Sequence, residues 1–488
     1  MKMPLAILIA CLAGTRACAQ VQDVAMDFGR ELSDWYIYDA DGDGRKDFLG
    51  IFYEGPGRMA FELALHTDHL KFGQRITGRL DDTLALAVGA FGEKNQPELV
   101  MVGATEARRF RVSRTEAALL PVGEPLPFTG LLRGAVTETP AVWHWSIDLD
   151  GDGHDDLHLP GDEGIEVRFG DSKGKTTAPL TLPIPGERRL ESGGEGAFDF
   201  VRRVPHPIFG QLDADRRADL CWFDEGGLAF RRQTSPRSFG KTELFTLPWM
   251  SGQEDSDLVE QTDVKLLDID GDGLDDLILA KMRSEKGQIG DMKSTLVVLR
   301  NRGEAEERFP RRPDAALRLA GVIGYGPEFI DVNHDGRLDL VYGLYGAGIS
   351  DAVGRFFGKV QVQVFCHLGT GNLDVPFNGQ PDFTIEEGLD SKDFEDLGMR
   401  NTRLLGDDLT GDGIGDLVRI DRAGSGEHKW RVFAGSTDAK QGFTIQGDAV
   451  AEGRIAGLEK VAVRTLQDGH ALVLVLITKT GIRMVSLH

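Results

Sequence analysis

The chain has 488 residues, 41% of them hydrophobic and 27% charged, with a formal net charge of −23. That is enough apolar material for a folded core and too much for a disordered chain. The acidic excess disfavours nucleic acid as a partner, because a polyanion is held by a basic surface.

In chain order, residues 1–19 read as a secretory signal peptide. Lys2 supplies the positive start, Pro4 to Gly14 is short and apolar, and Ala17-Cys18-Ala19 is a small-residue cleavage site. Leu8-Ile9-Ala10-Cys11 also fits a bacterial lipoprotein signal with lipid on Cys11; it ranks second because it leaves a very short apolar segment. No later stretch reaches the roughly 18 apolar residues of a transmembrane segment. Residues 20–488 are therefore expected to form one secreted, periplasmic or cell-surface domain. Of its two cysteines, Cys221 reads as a small buried filler in "DLCWFD", and Cys366 falls in a different repeat, so no disulfide is expected.

The first loop is "DADGDGRKD", residues 39–47, and it recurs. "DLDGDGHDD" spans 148–156, "DIDGDGLDD" 268–276, "DVNHDGRLD" 331–339 and "DLTGDGIGD" 408–416. "QLDADRRAD" at 211–219 keeps three acids but puts Arg216 where the others have glycine. Fainter echoes stand at 90–102 and 466–476. The register falls at 39, about 90, 148, 211, 268, 331, 408 and about 465, a period near 60 repeated about eight times.

Short β-branched or aromatic runs flank each loop, such as "DWYIYD" before and "DFLGIFY" after, and they read as strands. Two further short strands follow in most units, for example "GIEVRFGD" and "APLTLPI", or "KWRVFAG" and "GFTIQGD". Four short strands per unit, repeated radially, make an all-β β-propeller. Eight blades are preferred and seven are the alternative, since the second loop is badly degraded. The last unit offers three strands, and "QVQDVAMDF" at 20–28 can supply the fourth, which would shut the ring.

The loops suit a cation. In D-x-D-x-D-G-x-x-D, carboxylates at positions one, three, five and nine and a carbonyl at seven can converge, and the glycine at six allows the chain to reverse. Oxygen-only ligation favours Ca2+ over zinc or magnesium. The helix–loop–helix calcium motif is excluded: position twelve is Gly50, Leu159, Leu279, Tyr342 or Arg419, never glutamate, and the flanks are strands. Four full calcium sites are expected: Asp39, Asp41, Asp43, Asp47; Asp148, Asp150, Asp152, Asp156; Asp268, Asp270, Asp272, Asp276; and Asp331, Asn333, Asp335, Asp339. A fifth, weaker one uses Asp408, Asp412 and Asp416. At 211–219, Arg216 and Arg217 are expected to replace the ion. The ion's role is structural, locking the hairpin of each blade.

The repeated D-x-D-G-D-G-x-x-D-L followed by a strand resembles the FG-GAP and VCBS repeats, the calcium-loop blades of integrin α-subunit propellers and of many secreted bacterial proteins. The resemblance runs over about 20–488 and rests on the metal loops, because the Phe-Gly and Gly-Ala-Pro signatures are poor here. It implies calcium loops joining the two innermost strands on one face, with a protein or glycan partner on the opposite face, as in an adhesion module. A monomer is expected.

The long segments 249–262, 280–294, 343–358 and 389–401 should lie on that opposite face, with Trp249, Arg283, Tyr345, Arg355 and Arg400 as candidate contacts. Some calcium propellers of this type are polysaccharide lyases, so an enzyme is the alternative reading, as is a structural envelope component. His144 between Trp143 and Trp145, and the cluster Arg202, Arg203, His206, are better read as sheet packing and a rim ion-pair patch. No catalytic residue is assigned.

Overall fold

In the computed structural model, the described residues are 21–487 apart from 69, 93–95, 129–138, 145–146, 162, 186, 195–196, 204–206, 225–226, 247–257, 286–292, 304–307, 321, 346–358, 373–374, 400, 439–441 and 467–471. Antiparallel sheets of mostly four strands repeat eight times, so the chain is an eight-bladed β-propeller. Blade 1 is Asp34–Tyr38, Asp47–Gly55, Arg58–Asp68 and Lys71–Arg79, in that order from the inner strand outward. Blades 5, 6 and 7 repeat the pattern from Leu258–Leu267, Val322–Ile330 and Arg403–Leu405 respectively, and blade 4 from Ile208–Gly210.

The ring closes as expected. Leu458–Thr465, Leu472–Thr478 and Gly481–Ser486 form three strands of blade 8, and Gln22–Asp27 pairs antiparallel with Gly481–Ser486 as the fourth. Every junction between adjacent blades carries an apolar cluster. Phe48 and Phe52 pack toward blade 8 with Val475 and Met484, whereas Leu49 and Ile51 of the same strand pack toward blade 2 with Leu86 and Leu99. Side chains alternate across a strand, so a strand buried on both faces reads as an unbroken apolar run. Leu277 and Leu279 face blade 4, and Ile278 and Ala280 face blade 6. Each such leucine, isoleucine or phenylalanine side chain stabilises by about 1.5–3 kcal/mol on burial.

Three expectations need correction. "GFTIQGD" is not the outer strand of blade 7: Gly442–Ile445 pairs with Gly435–Asp438 in a small hairpin, and Ala451–Ala456 is the outer strand. At the start of that hairpin the N–H of Gly435 donates to Asp416 Oδ1, 3.0 Å away. Ala141–His144, expected to be the inner strand of blade 3, pairs in parallel with Ala85–Gly89 of blade 2; Trp143 packs between the clusters of blades 2 to 4. The segment 389–401, expected as a free rim loop, contains a short helix, Ser391–Leu397. Leu397 and Met399 anchor it by burial, and Asp393 accepts from Arg422 Nε at 3.0 Å.

Candidate metal centres

The acidic loops share one backbone form. The first aspartate accepts two loop N–H groups, Gly42 N at 2.7 Å and Gly44 N at 2.9 Å onto Asp39. Asp148 does the same at 2.8 Å twice, and Asp268 at 2.7 and 2.9 Å. The fifth aspartate accepts from the seventh residue, as Asp43 does from Arg45 N at 2.9 Å. Positions four and six both lie in the left-handed region: Gly42 and Gly44 at φ 79° and 83°, His334 and Gly336 at 58° and 83°. Two such residues in five turn the carboxylates inward.

Carboxylate oxygens converge in three loops. Asp39, Asp41 and Asp43 form one group, Asp148, Asp150 and Asp156 a second, and Asp268, Asp270 and Asp276 a third, with ligand atoms within 4.8 Å of one another in each. Asp47, Asp152 and Asp272 stand outside these triplets. Asp331, Asn333, Asp335 and Asp339, and Asp408, Asp412 and Asp416, keep the same loop bonds but give no such group of three acids among the described residues.

The donor set fits a hard cation. All donors are oxygens. Asp41 Oδ1 is buried without a hydrogen-bond partner, in a side chain only 5% exposed. Burial pushes the Asp39 carboxyl up, and the charges of Asp41 and Asp43 add to it. An ion would relieve both costs.

Sequence reasoning missed the second role of the ninth aspartate. Asp47 Oδ2 accepts from Ala40 N at 2.8 Å and Oδ1 from His66 N at 2.7 Å. Asp156, Asp276, Asp339 and Asp416 repeat the bridge, each to the second loop residue and to the second residue past the third strand. So does Asp219 in the degraded loop, to Leu212 N at 3.1 Å and Gln233 N at 2.8 Å. These acids are fully buried or nearly so, and burial pushes Asp47, Asp156 and Asp276 up to about 7. A carboxylate has about four lone-pair sites, so the bridge and a cation are compatible. The one available signal was the buried apolar second residue, such as Leu149, Val332 or Leu409.

Arginines reach the aspartate at loop position three in each triplet. Arg114 of blade 2 bonds Asp41 and, at 2.6 Å, Asp43 Oδ2. Arg237 of blade 4 bonds Asp150 Oδ2 at 2.5 Å and Asp152 Oδ2 at 3.0 Å. Arg300 bonds Asp270 Oδ2 at 2.5 Å. Where the third residue is Asn333 or Thr410, the described residues place no arginine on it. In the degraded loop Arg217 pairs with Asp215, as expected; Arg216 instead takes the left-handed position, φ 66°. The loops are also stitched to the preceding blade by backbone bonds: Lys46 N to Leu466 O, Asp155 N to Ala90 O, Ala218 N to Leu149 O, Asp275 N to Gln211 O and Gly415 N to Val332 O.

Of the remaining candidates, Tyr345 is half-buried in the cluster between blades 6 and 7, so it packs rather than projects. Trp145, His206, Trp249, Arg355 and Arg400 lie outside the described residues, as do the side chains of His144, Arg202, Arg203 and Arg283. Cys221 and Cys366 are buried free thiols. No helix among the described residues is long and apolar enough to cross a membrane.

An FG-GAP-like repeat is found at residues 268–342. No curated relative matches the chain. Among solved structures, it is similar to an Agrocybe aegerita lectin described as recognising non-reducing terminal N-acetylglucosamine, at 13% identity over 88% of this chain and 81% of that one, TM-score 0.36. It is also similar to Drosophila Semaphorin 1a, extracellular domains 1–2, at 9% identity over 96% and 88%, TM-score 0.31.

Proposed function

We propose that this eight-bladed propeller, with its FG-GAP-like repeat at 268–342, is a secreted binding module stiffened by calcium. Ions in the loops between the inner strands hold the ring. A protein or glycan ligand engages the opposite face.

The observation that carries this reading is the division of the two faces. Successive strands are antiparallel, so loops alternate between faces, and the convergent carboxylates all fall on one. The other face opens into a groove of about 920 Å³ between blades 1 and 2, lined by Met59, Phe61, Arg79, Asp82, Glu106 and Phe110. Its lining is nearly as polar as apolar, with Asp81 and Arg108 among further charged groups beside it.

Terbium luminescence and calcium calorimetry on the protein lacking residues 1–19 test the ion, and arrays of glycans and extracellular proteins, probed with and without EDTA, test the ligand. Saturable ion binding at more than one site is expected, with the blade 1 site alone lost in Asp39→Asn. Absence of any ion binding at millimolar calcium would refute the stiffening role, and ligand binding that survives charge reversal at Asp82 and Glu106 would move the ligand to another surface.

A further inference from the structure

Blade 7 presents a row of three arginines to blade 6. Arg403 pairs in register with Arg419, and Arg419 with Arg431, so the three project from one side of the sheet. Like charges directly opposite one another destabilise a sheet unless anions intervene. Two do. Glu387, on the outer strand of blade 6, accepts from Arg403 Nε at 2.9 Å and pairs with Arg419 Nη2 at 2.8 Å. Asp421 accepts from Arg403 Nη2 at 2.9 Å and from Arg431. The next acid, Glu452, pairs with Lys429 at 2.6 Å. Three guanidiniums therefore share two carboxylates.

The shortfall shows at individual atoms. Arg403 is 1% exposed and fully bonded, with Nη1 donating to the carbonyls of Thr402 and Ile420. Arg419 Nε and Arg431 Nε are buried and have no hydrogen-bond partner. Both guanidiniums flank one ring, 5.5 and 5.6 Å from the centroid of Phe433. Their side chains are 28% and 29% exposed, so part of each meets solvent although the Nε atoms do not. Blade 2 supplies a contrast: Arg109 and Arg111 share only Glu98, yet both Nε atoms are bonded to it. Burial first, and then the charges of Arg403 and Arg431, hold Arg419 below the ordinary arginine range.

We propose that Arg419 and Arg431, at the junction of blades 6 and 7, form a binding site for a single oxyanion group, a sulfate or a carboxylate. The guanidinium fork matches such groups geometrically. The site uses no calcium ligand, so it stands apart from the calcium reading.

The test is isothermal calorimetry and thermal unfolding with sodium sulfate and, in a second arm, sodium acetate, each against sodium chloride at matched ionic strength and in EDTA. A saturable, sulfate- or acetate-specific response is expected, and the arm that responds identifies the group. Arg419→Met and Arg431→Met, which keep the apolar stem, should weaken it roughly tenfold or more, the loss of a charge-assisted bond. Arg454→Met, on an exposed arginine paired with Glu427, should leave it unchanged. Glu387→Gln should tighten it several-fold, which keeps the test alive if a methionine variant fails to fold. Equal responses to sulfate, acetate and chloride, or undiminished binding in Arg419→Met and Arg431→Met, would overturn the proposal.

Discussion

Blades 1 and 4 carry the same hairpin with and without its full set of acids. In blade 1, positions one, three and five are Asp39, Asp41 and Asp43; in blade 4 they are Gln211, Asp213 and Asp215, and Arg217 neutralises one of the survivors. The ninth residue does not change. Asp219 ties Leu212 and Gln233 together as Asp47 ties Ala40 and His66. The acids of such a loop thus have two separable duties. The ninth acid braces the fold in both blades, with or without its neighbours, whereas the convergent set of first, third and fifth acids stands in blade 1 alone of the two.

The sharpest way to break that separation is to remove the bridge where no ion is expected. Asp219→Ala strands two backbone N–H groups and should cost on the order of 3 kcal/mol of stability, as two bonds to a charged acceptor do. Urea unfolding in EDTA reads it. A loss as small as that of an exposed site would show that the ninth acid matters only through an ion. Of similar size is the effect of the ion itself. Saturating calcium should raise stability over EDTA by about 3–4 kcal/mol per site for ligand at 100 to 1,000 times its dissociation constant. Asp41→Asn should remove part of that gain, and Asp213→Asn none.

A smaller effect concerns pH. Burial raises Asp219 to about 6, against the pull of its two N–H bonds. A folded value above the unfolded one, about 3.9, means stability that is present below that lower value and lost as pH rises through about 6. In EDTA the wild type should therefore weaken across that window, and Asp219→Asn should flatten part of the slope in a urea series. The smallest change expected is from Arg237→Met. Its ion pairs with Asp150 and Asp152 are partly exposed, so about 1 kcal/mol or less is at stake, measurable by thermal unfolding in EDTA.

What the sequence makes legible follows from how local each signal is. Blade count and closure rest on strands and turns that recur at fixed spacing, so "QVQDVAMDF" could be matched to the missing strand of blade 8. The acids of the loops are legible for the same reason. The bridge is not, because its second partner is a bare backbone N–H lying 14 to 30 residues further on, with no residue type to mark it: His66, Gly170, Gln233, Asn301, Gly369 and Gly435 all serve. Arg114 and Arg237 escape notice because they come from the neighbouring blade. The outer strand of blade 7 is misread because "GFTIQGD" has strand composition and does form a strand, but in a side hairpin with Gly435–Asp438 rather than in the blade.

The clasp between Gln22–Asp27 and Gly481–Ser486 has a mechanical corollary. Gln22 sits across from Ser486 and Asp27 across from Gly481, so both tails emerge shoulder to shoulder at the same rim. Tension drawn between Gln22 and Ser486 meets the rungs singly, like a zip, whereas opposed tails would load every rung in shear at once. Drawn by its tails, the propeller should yield at blade 8 in a small early step, well before the other seven blades give way.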